Sequence, residues 1–400
     1  EGSQLRTSLI ENDSLKVDEG KTVYITGEGV NKIKNCIPTN LQNISSYLRI
    51  GDLLYIDFNS VIIQLVDLHE NVFKARVIQG GTIQSNKGIG VDREIQLPSF
   101  TKKDYEIFEI SKKLRIETLF LSFCSSGEVV KELRSFFDYE IKIISKIESI
   151  NGLNNLDSIC EESDGVLIDR GDLSRDVPLR KIPYAQKHII DVASKFSKPI
   201  YIATNLVESM IDKSLPTRAE VNDVANSVMD GADAVMLSGE TSVGNYPIEV
   251  VKSMSSIIKA VENSSIIKIP HSSSNEITKR YISNSICSNA ANMANEIKAK
   301  AISTITISGY TAYQISSWRP NAHILVFSSN KKILTQLNLL WGVKAFYYNN
   351  FKSTDKTVEE INEIALNMGY IQKKDLMINL TSMPVKNRGM ANTLRVSVIE

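Results

Sequence analysis

Hydrophobic and polar positions change rhythm near residue 97 of this 400-residue chain. Before it, short β-branched runs at Thr22–Thr26, Leu53–Asp57, Val61–Asp67 and Val72–Gln79 predict strands. Turn residues punctuate them at Gly27-Glu28-Gly29, Asp57–Asn59, His69–Asn71, Gly80-Gly81 and Gly88–Gly90. Residues 9–97 therefore read as an all-β unit, a small barrel or sandwich. From Leu97 onward strand and helix patterns alternate. Strands are predicted at Thr118–Phe123, Ile141–Ile147, Val166–Ile168, Ile200–Thr204 and Ala234–Ser238. Helices fall between and after them, at Val129–Phe137, Leu153–Ile159, Tyr184–Phe196, from about Thr217, and at Pro247–Glu262. Such βα repetition predicts parallel strands covered by helices. Pro270 and Ser272–Ser274, within Ile267–Glu276, mark a boundary. Beyond it a long helix at Ile277–Ile297 leads into a second α/β pattern. Its strands are predicted at Ile302–Ile307, Ile324–Ser328, Ala345–Tyr348, Leu376–Leu380 and Leu394–Val398, its helices at Ala312–Trp318, Ile333–Trp341 and Val358–Met368. Four segments result: 1–8, 9–97, 98–267 and 268–400.

Composition adds mainly exclusions. The chain is 42% hydrophobic and 23% charged, with 46 basic and 46 acidic residues, so it is an ordinary globular sequence of zero formal charge. That balance speaks against a dedicated nucleic-acid binder or polybasic membrane binder. No apolar run is long enough to span a bilayer. Cys36, Cys124, Cys160 and Cys287 are scattered, without metal-finger spacing, and point to buried thiols in a reducing compartment. His69, His188, His271 and His323 do not cluster, which disfavours imidazole-based metal or acid–base chemistry. No signal or transit peptide is visible at Glu1–Thr7.

The candidate chemistry sits where apolar strands run out. In a β/α barrel the C-terminal ends of successive strands converge. Lys146 and Glu148, two apart on a strand, share a face. Together they suit a bound cation and a transferring anion, or else form a solvated ion pair. Asp169-Arg170-Gly171-Asp172 follows the next strand. There Gly171 permits close backbone approach, a short helix starting here would hold a carboxylate or phosphate on its free N–H groups, and Asp172 offers a hard oxygen suited to Mg²⁺; the plain alternative is an Asp-Gly turn. Thr204 ends the Ile200 strand, and its hydroxyl either relays a proton or caps a turn. Thr217 and Glu220 have the spacing of a helix capping box, with Arg218 inside it as a site cation or a helix support.

Taken jointly, these segments resemble the pyruvate kinase family. Ile200–Val250 carries the strongest likeness, IISKIE at 143–148 and SDGVLIDRGDL at 163–173 agree in order and spacing, and Gln4–Thr7 and Asn86–Gly88 match at the lid. The resemblance implies a (β/α)8 TIM-type barrel lacking its first strands, an inserted all-β lid and a C-terminal α/β domain. It implies phosphotransfer from phosphoenolpyruvate to ADP, giving pyruvate and ATP in glycolysis, with Mg²⁺ and K⁺. Under it Lys146 stabilises the phosphoryl group in transit. Glu148 and Asp172 bind the divalent ion, and the Gly171 and Asp172 amides hold the substrate carboxylate. Thr204 helps protonate the enolate, and Arg6 and Lys87 contact nucleotide phosphates. Thr306, Ser308, Gly309 and Thr311 resemble a loop for a phosphorylated effector, faced by Gly389–Thr393, although a plain turn fits equally. A cytosolic homotetramer follows, with a plastid-type form as the alternative.

The chain departs from the family pattern at several points. Asp169 stands where Ala is usual, Ser174 where Gly is usual, Cys124-Ser125 for Ile-Arg, Asp57-Phe58-Asn59 for Asp-Asp-Gly, and Asn205 for Gln. An added carboxylate at Asp169 is expected to weaken anionic substrates unless Arg170 neutralises it. The family's K⁺ ligands and an upstream arginine lie on strands expected before Glu1. These departures keep open a non-catalytic paralogue that binds effectors or partner subunits. A third reading, a phosphoenolpyruvate/pyruvate lyase without nucleotide, is disfavoured by the lid and by Arg6 and Lys87.

Overall fold

The computed structural model describes residues 4–27, 33–57, 60–93, 95, 97–264, 280–383 and 390–400. The predicted turn residues Glu28 and Gly29, the pair Phe58-Asn59, the linker Ile267–Glu276 and Gly389 lie outside them. The chain forms two compact units, one of Glu1–Glu162 with Asp169–Pro183, the other of Ser163–Ile168 with Tyr184–Glu400.

In the first unit the all-β part is a six-stranded sheet. Its order is Cys36–Pro38, Thr22–Thr26, Val72–Gln79, Val61–His69, Leu53–Ile56, Ile89–Val91. Alternating side chains of Val61–Leu65 and Phe73–Val77 face inward and build a core with Ile25, Ile37, Leu54 and Ile83. A separate antiparallel pair, Ser14–Val17 with Gly81–Gln84, went unpredicted; each strand is defined by its pairing with the other. Helix Lys102–Leu114 was also missed. It is capped by a Thr101–Asp104 box, and its apolar positions are diluted by seven charged residues from 102 to 113. Strands Thr118–Leu121 and Lys142–Ile147 then pair in parallel, with Ile143 opposite Leu119.

The second unit continues the βα rhythm. Strand Gly165–Asp169 lies beside Ile200–Ala203, Val166 N–H donating to the Pro199 carbonyl at 2.9 Å. Ile200–Ala203 pairs in parallel with Ala234–Met236. The first two of these strands are buried at every residue, as central strands of a helix-covered parallel sheet should be. The C-terminal sheet has the order Val343–Tyr347, His323–Ser328, Ala301–Ile305, Leu376–Thr381, Thr393–Val398, antiparallel only at its last pair. Apolar clusters cover both of its faces. Helix Lys331–Leu337 stops short of the predicted Trp341, because Leu339 and Leu340 close 3-residue turns instead. Among the described residues no helix is long and apolar enough to cross a membrane.

Asp233 ties this second unit together. Its carboxylate accepts from Ile200 N–H at 2.9 Å, Trp341 N–H at 3.2 Å and Arg319 Nη1 at 2.9 Å. Arg319 also donates to the Gly231 carbonyl at 2.7 Å and lies over the Trp341 ring. Both charged side chains are buried, so removing one strands the other. Arg319→Ala is expected to cost about 3–5 kcal/mol, read as a lowered denaturant midpoint. A second prediction comes from the capping box, which forms as the sequence indicates. Burial opposes the charge on Glu220. Donors from Ser209 and Thr217 outweigh it and hold the carboxyl below its ordinary value. A depressed acid stabilises above its unfolded pKa and loses that contribution as pH falls through the folded one. Glu220→Gln is therefore expected to cost about 1 kcal/mol at pH 7. In thermal melts the deficit should shrink as pH drops below 4.5.

Candidate active site

The strand Lys142–Ile147 delivers the first two groups. Lys146 and the residue after the strand, Glu148, project from one face, and Lys146 Nζ stands 2.5 Å from Glu148 Oε1. The same ammonium lies 3.2 Å from Asp169 Oδ2. The Glu148 side chain is 0% exposed, which excludes a solvated surface pair. Its Oε2 accepts the Phe123 N–H at 2.6 Å, and Phe123 holds a left-handed φ of 49° to present that amide. Oε1 receives no well-directed hydrogen bond; its contact with the ammonium is one of charge.

These surroundings set the protonation balance. Burial pushes the Glu148 carboxyl up to about 7 against the pull of Lys146 and the Phe123 amide, and Asp169 adds to the rise. Burial disfavours the Lys146 ammonium, yet the Glu148 and Asp169 carboxylates outweigh it and hold Lys146 above its ordinary value. Burial also raises Asp172, with the charge of Asp169 adding, while Arg175, Lys146 and Arg6 pull it back.

After Ile168 the short-helix reading holds, not the plain Asp-Gly turn. Arg170–Asp176 is a short helix with Asp169 as its N-cap. Asp172 N–H approaches Asp169 Oδ1 at 3.4 Å, so the amide linked by resemblance to a substrate carboxylate already faces one from its own chain. The reason is local. An Asp before a helix offers an acceptor to the exposed first-turn amides, where Ala would not. Helical spacing then brings Arg175 to Asp172, Nη2 to Oδ1 at 2.9 Å. Oxygens of Glu148, Asp169 and Asp172 all lie within 4.8 Å of one another. Ligands on opposite sides of a hard cation stand about 4–5 Å apart, so this all-oxygen set fits a divalent ion. Glu148, Asp172 and Arg175, with Gln4, Tyr55 and Asp176, line a cleft of about 880 Å³, ample for a small anion with a nucleotide.

Arg6 and Lys87, far apart in sequence, come together. Arg6 forms an antiparallel bridge with Gly88, and Thr7 and Lys87 exchange hydrogen bonds, Thr7 N–H to Lys87 O and Lys87 N–H to Thr7 Oγ1, both at 2.8 Å. Arg6 Nη1 donates to the Asn86 carbonyl at 3.3 Å, and Lys87 Nζ pairs with Asp57 at 3.3 Å. Arg175 abuts Gly88: a Cβ added there would meet Arg175 Nη1. Thr204 belongs to the second unit, at φ 69° just past its strand, where its hydroxyl donates to the Ala203 carbonyl at 2.6 Å. Arg218 is exposed on the first turn of its helix. In the C-terminal loop Thr306 Oγ1 accepts Gly309 N–H at 3.0 Å, Thr311 and Thr304 hydroxyls meet at 2.8 Å, and Ser308 is exposed. Gly309 adopts φ 83°, a left-handed conformation that suits glycine.

Two participants escaped the sequence reading. Asp169 counted there only as a departure, although it ends a strand just as Lys146 does. Arg175 lies at i+3 from Asp172, a relation meaningful only once the segment is known to be helical.

Comparison with known proteins is uniform. Residues 1–251 match the family model described as pyruvate kinase, barrel domain, and residues 284–397 that described as pyruvate kinase, alpha/beta domain. A pyruvate kinase of Corynebacterium efficiens is 33% identical over 403 residues, covering 100% of this chain and 84% of that protein. One from Clostridium acetobutylicum is 32% identical, covering 100% and 86%. The crystal structure of a pyruvate kinase from Cryptosporidium parvum superposes with a TM-score of 0.86 at 29% identity, over 100% of this chain and 83% of that one.

Proposed function

The chain belongs to the pyruvate kinase family and moves the phosphoryl group of phosphoenolpyruvate to ADP, giving pyruvate and ATP; from that premise we propose how its residues divide the work. Its βα repeats are part of a TIM-type barrel followed by the family's α/β domain. Nothing among its relatives favours a non-catalytic role.

The observation that carries the assignment is the gathering of Lys146 with Glu148, Asp169 and Asp172, of which Glu148 and Asp172 line the cleft. Glu148 and Asp172 would hold Mg²⁺, which when bound neutralises phosphoryl and carboxylate oxygens. Phosphoryl transfer is chiefly positioning and charge neutralisation, so the fixed cation matters most. Lys146, held by its carboxylates, presents a preset ammonium to the oxygens of the phosphoryl group as it leaves the enol oxygen for the ADP β-phosphate. The Gly171 and Asp172 amides orient the substrate carboxylate. Arg6 and Lys87, carried on paired backbone segments, would contact the nucleotide phosphates, as the family resemblance implies. Thr204 serves the proton that the enolate takes up at its methylene carbon.

The remaining assignments rest on the family resemblance. They are a lid at 9–97 between barrel segments 1–8 and 98–267, a C-terminal domain at 268–400, K⁺ as second cation, a cytosolic homotetramer, and a phosphorylated effector at Thr306–Thr311.

A lactate-dehydrogenase-coupled assay tests the central role. Lys146→Ala should lower kcat by roughly two to three orders of magnitude while leaving KM for phosphoenolpyruvate within a few-fold. Unchanged kcat would remove Lys146 from the chemistry.

A further inference from the structure

We propose that Asp169 is a third carboxylate ligand of the divalent cation, added to Glu148 and Asp172; the inference rests on the site assigned above. Three observations converge. The oxygens of the three acids share one 4.8 Å neighbourhood, within the span of a hard cation's coordination shell. Glu148, wholly buried, aims an Oε1 without a directed hydrogen bond into that neighbourhood. Asp169 is itself buried and is placed from two sides, by the Lys146 ammonium at 3.2 Å and by its position as N-cap of Arg170–Asp176. It therefore sits at the cluster without a rearrangement of the backbone.

The charges also favour this role. Lys146 stands at ion-pair distance from Glu148 and Asp169, and Arg175 from Asp172. A divalent ion held there would add positive charge facing an anionic substrate. Lys146 lies between Glu148 and Asp169. An ion taking up oxygens from both acids would sit beside the ammonium, with both positive charges facing the substrate. A two-carboxylate site would depend more on the substrate's own oxygens to complete the coordination. A third acid lets the protein hold the ion beforehand.

The test is direct binding of Mn²⁺ to the substrate-free protein, followed by the electron paramagnetic resonance of the free ion. Asp169→Ser removes the carboxylate but retains an N-cap acceptor, so the helix start survives. If the serine variant does not fold, Asp169→Asn is read in the same way. The expected result is at least about ten-fold weaker Mn²⁺ binding, with unchanged circular dichroism, and a comparable loss in Glu148→Gln and Asp172→Asn. Wild-type affinity in the Asp169 variant, with losses in the other two, overturns the third ligand and leaves the metal site standing. Wild-type affinity in all three overturns the site itself.

Discussion

Burying one ion pair is the constraint on which the site depends. Lys146 and Glu148 leave the same strand end two residues apart, and the carboxylate has no exposure to water. Taking such charges out of water costs several kcal/mol per ion, and mutual attraction returns this only when the geometry is fixed and the remaining lone pairs are served. The neighbouring segments are shaped accordingly. Phe123 adopts a left-handed backbone to turn its amide toward Glu148. Asp169 ends the following strand at the ammonium. Stability alone does not explain this expense, since apolar residues would fill the same space more cheaply. A preset ammonium beside acids ready for a cation does, because electrostatic catalysis works best where the charges need no reorganisation.

Much of the fold was legible because its physics is local. Strands Thr22–Thr26 and Val72–Gln79 and helix Pro247–Glu262 follow from periodicity at their observed bounds. The Thr217–Glu220 box follows from the reciprocal bonding that its spacing allows. What stayed hidden depends on tertiary pairing or on weak local signal. Ser14–Val17 is a strand because Gly81–Gln84 lies against it. The Lys102–Leu114 helix carries a moderate apolar stripe among many charges. The C-terminal helix around Ile333 ends earlier than its apolar run, which continues as turns.

The site divides along the same line. Lys146 and Glu148 were visible as a same-face pair, and Asp172 as a strand-end acid. Their mutual distances were not, because these come from two strands far apart in sequence. The role of Asp169 was obscured because the sequence left its neighbourhood open between a short helix and a turn. Once Arg170–Asp176 is a helix, Asp169 becomes its cap and Arg175 the partner of Asp172. Likewise, the segments of Arg6 and Lys87 pair only through long-range backbone contacts, Arg6 opposite Gly88 and Thr7 bonded to Lys87.

The most direct measurement is the anomalous scattering of Mn²⁺ in crystals of the protein grown with the ion. The expected map places one ion about 2.2 Å from carboxylate oxygens of Glu148 and Asp172, beside Lys146. An ordered ion bound elsewhere, with Glu148 and Lys146 still closed on each other, would contradict the central assignment.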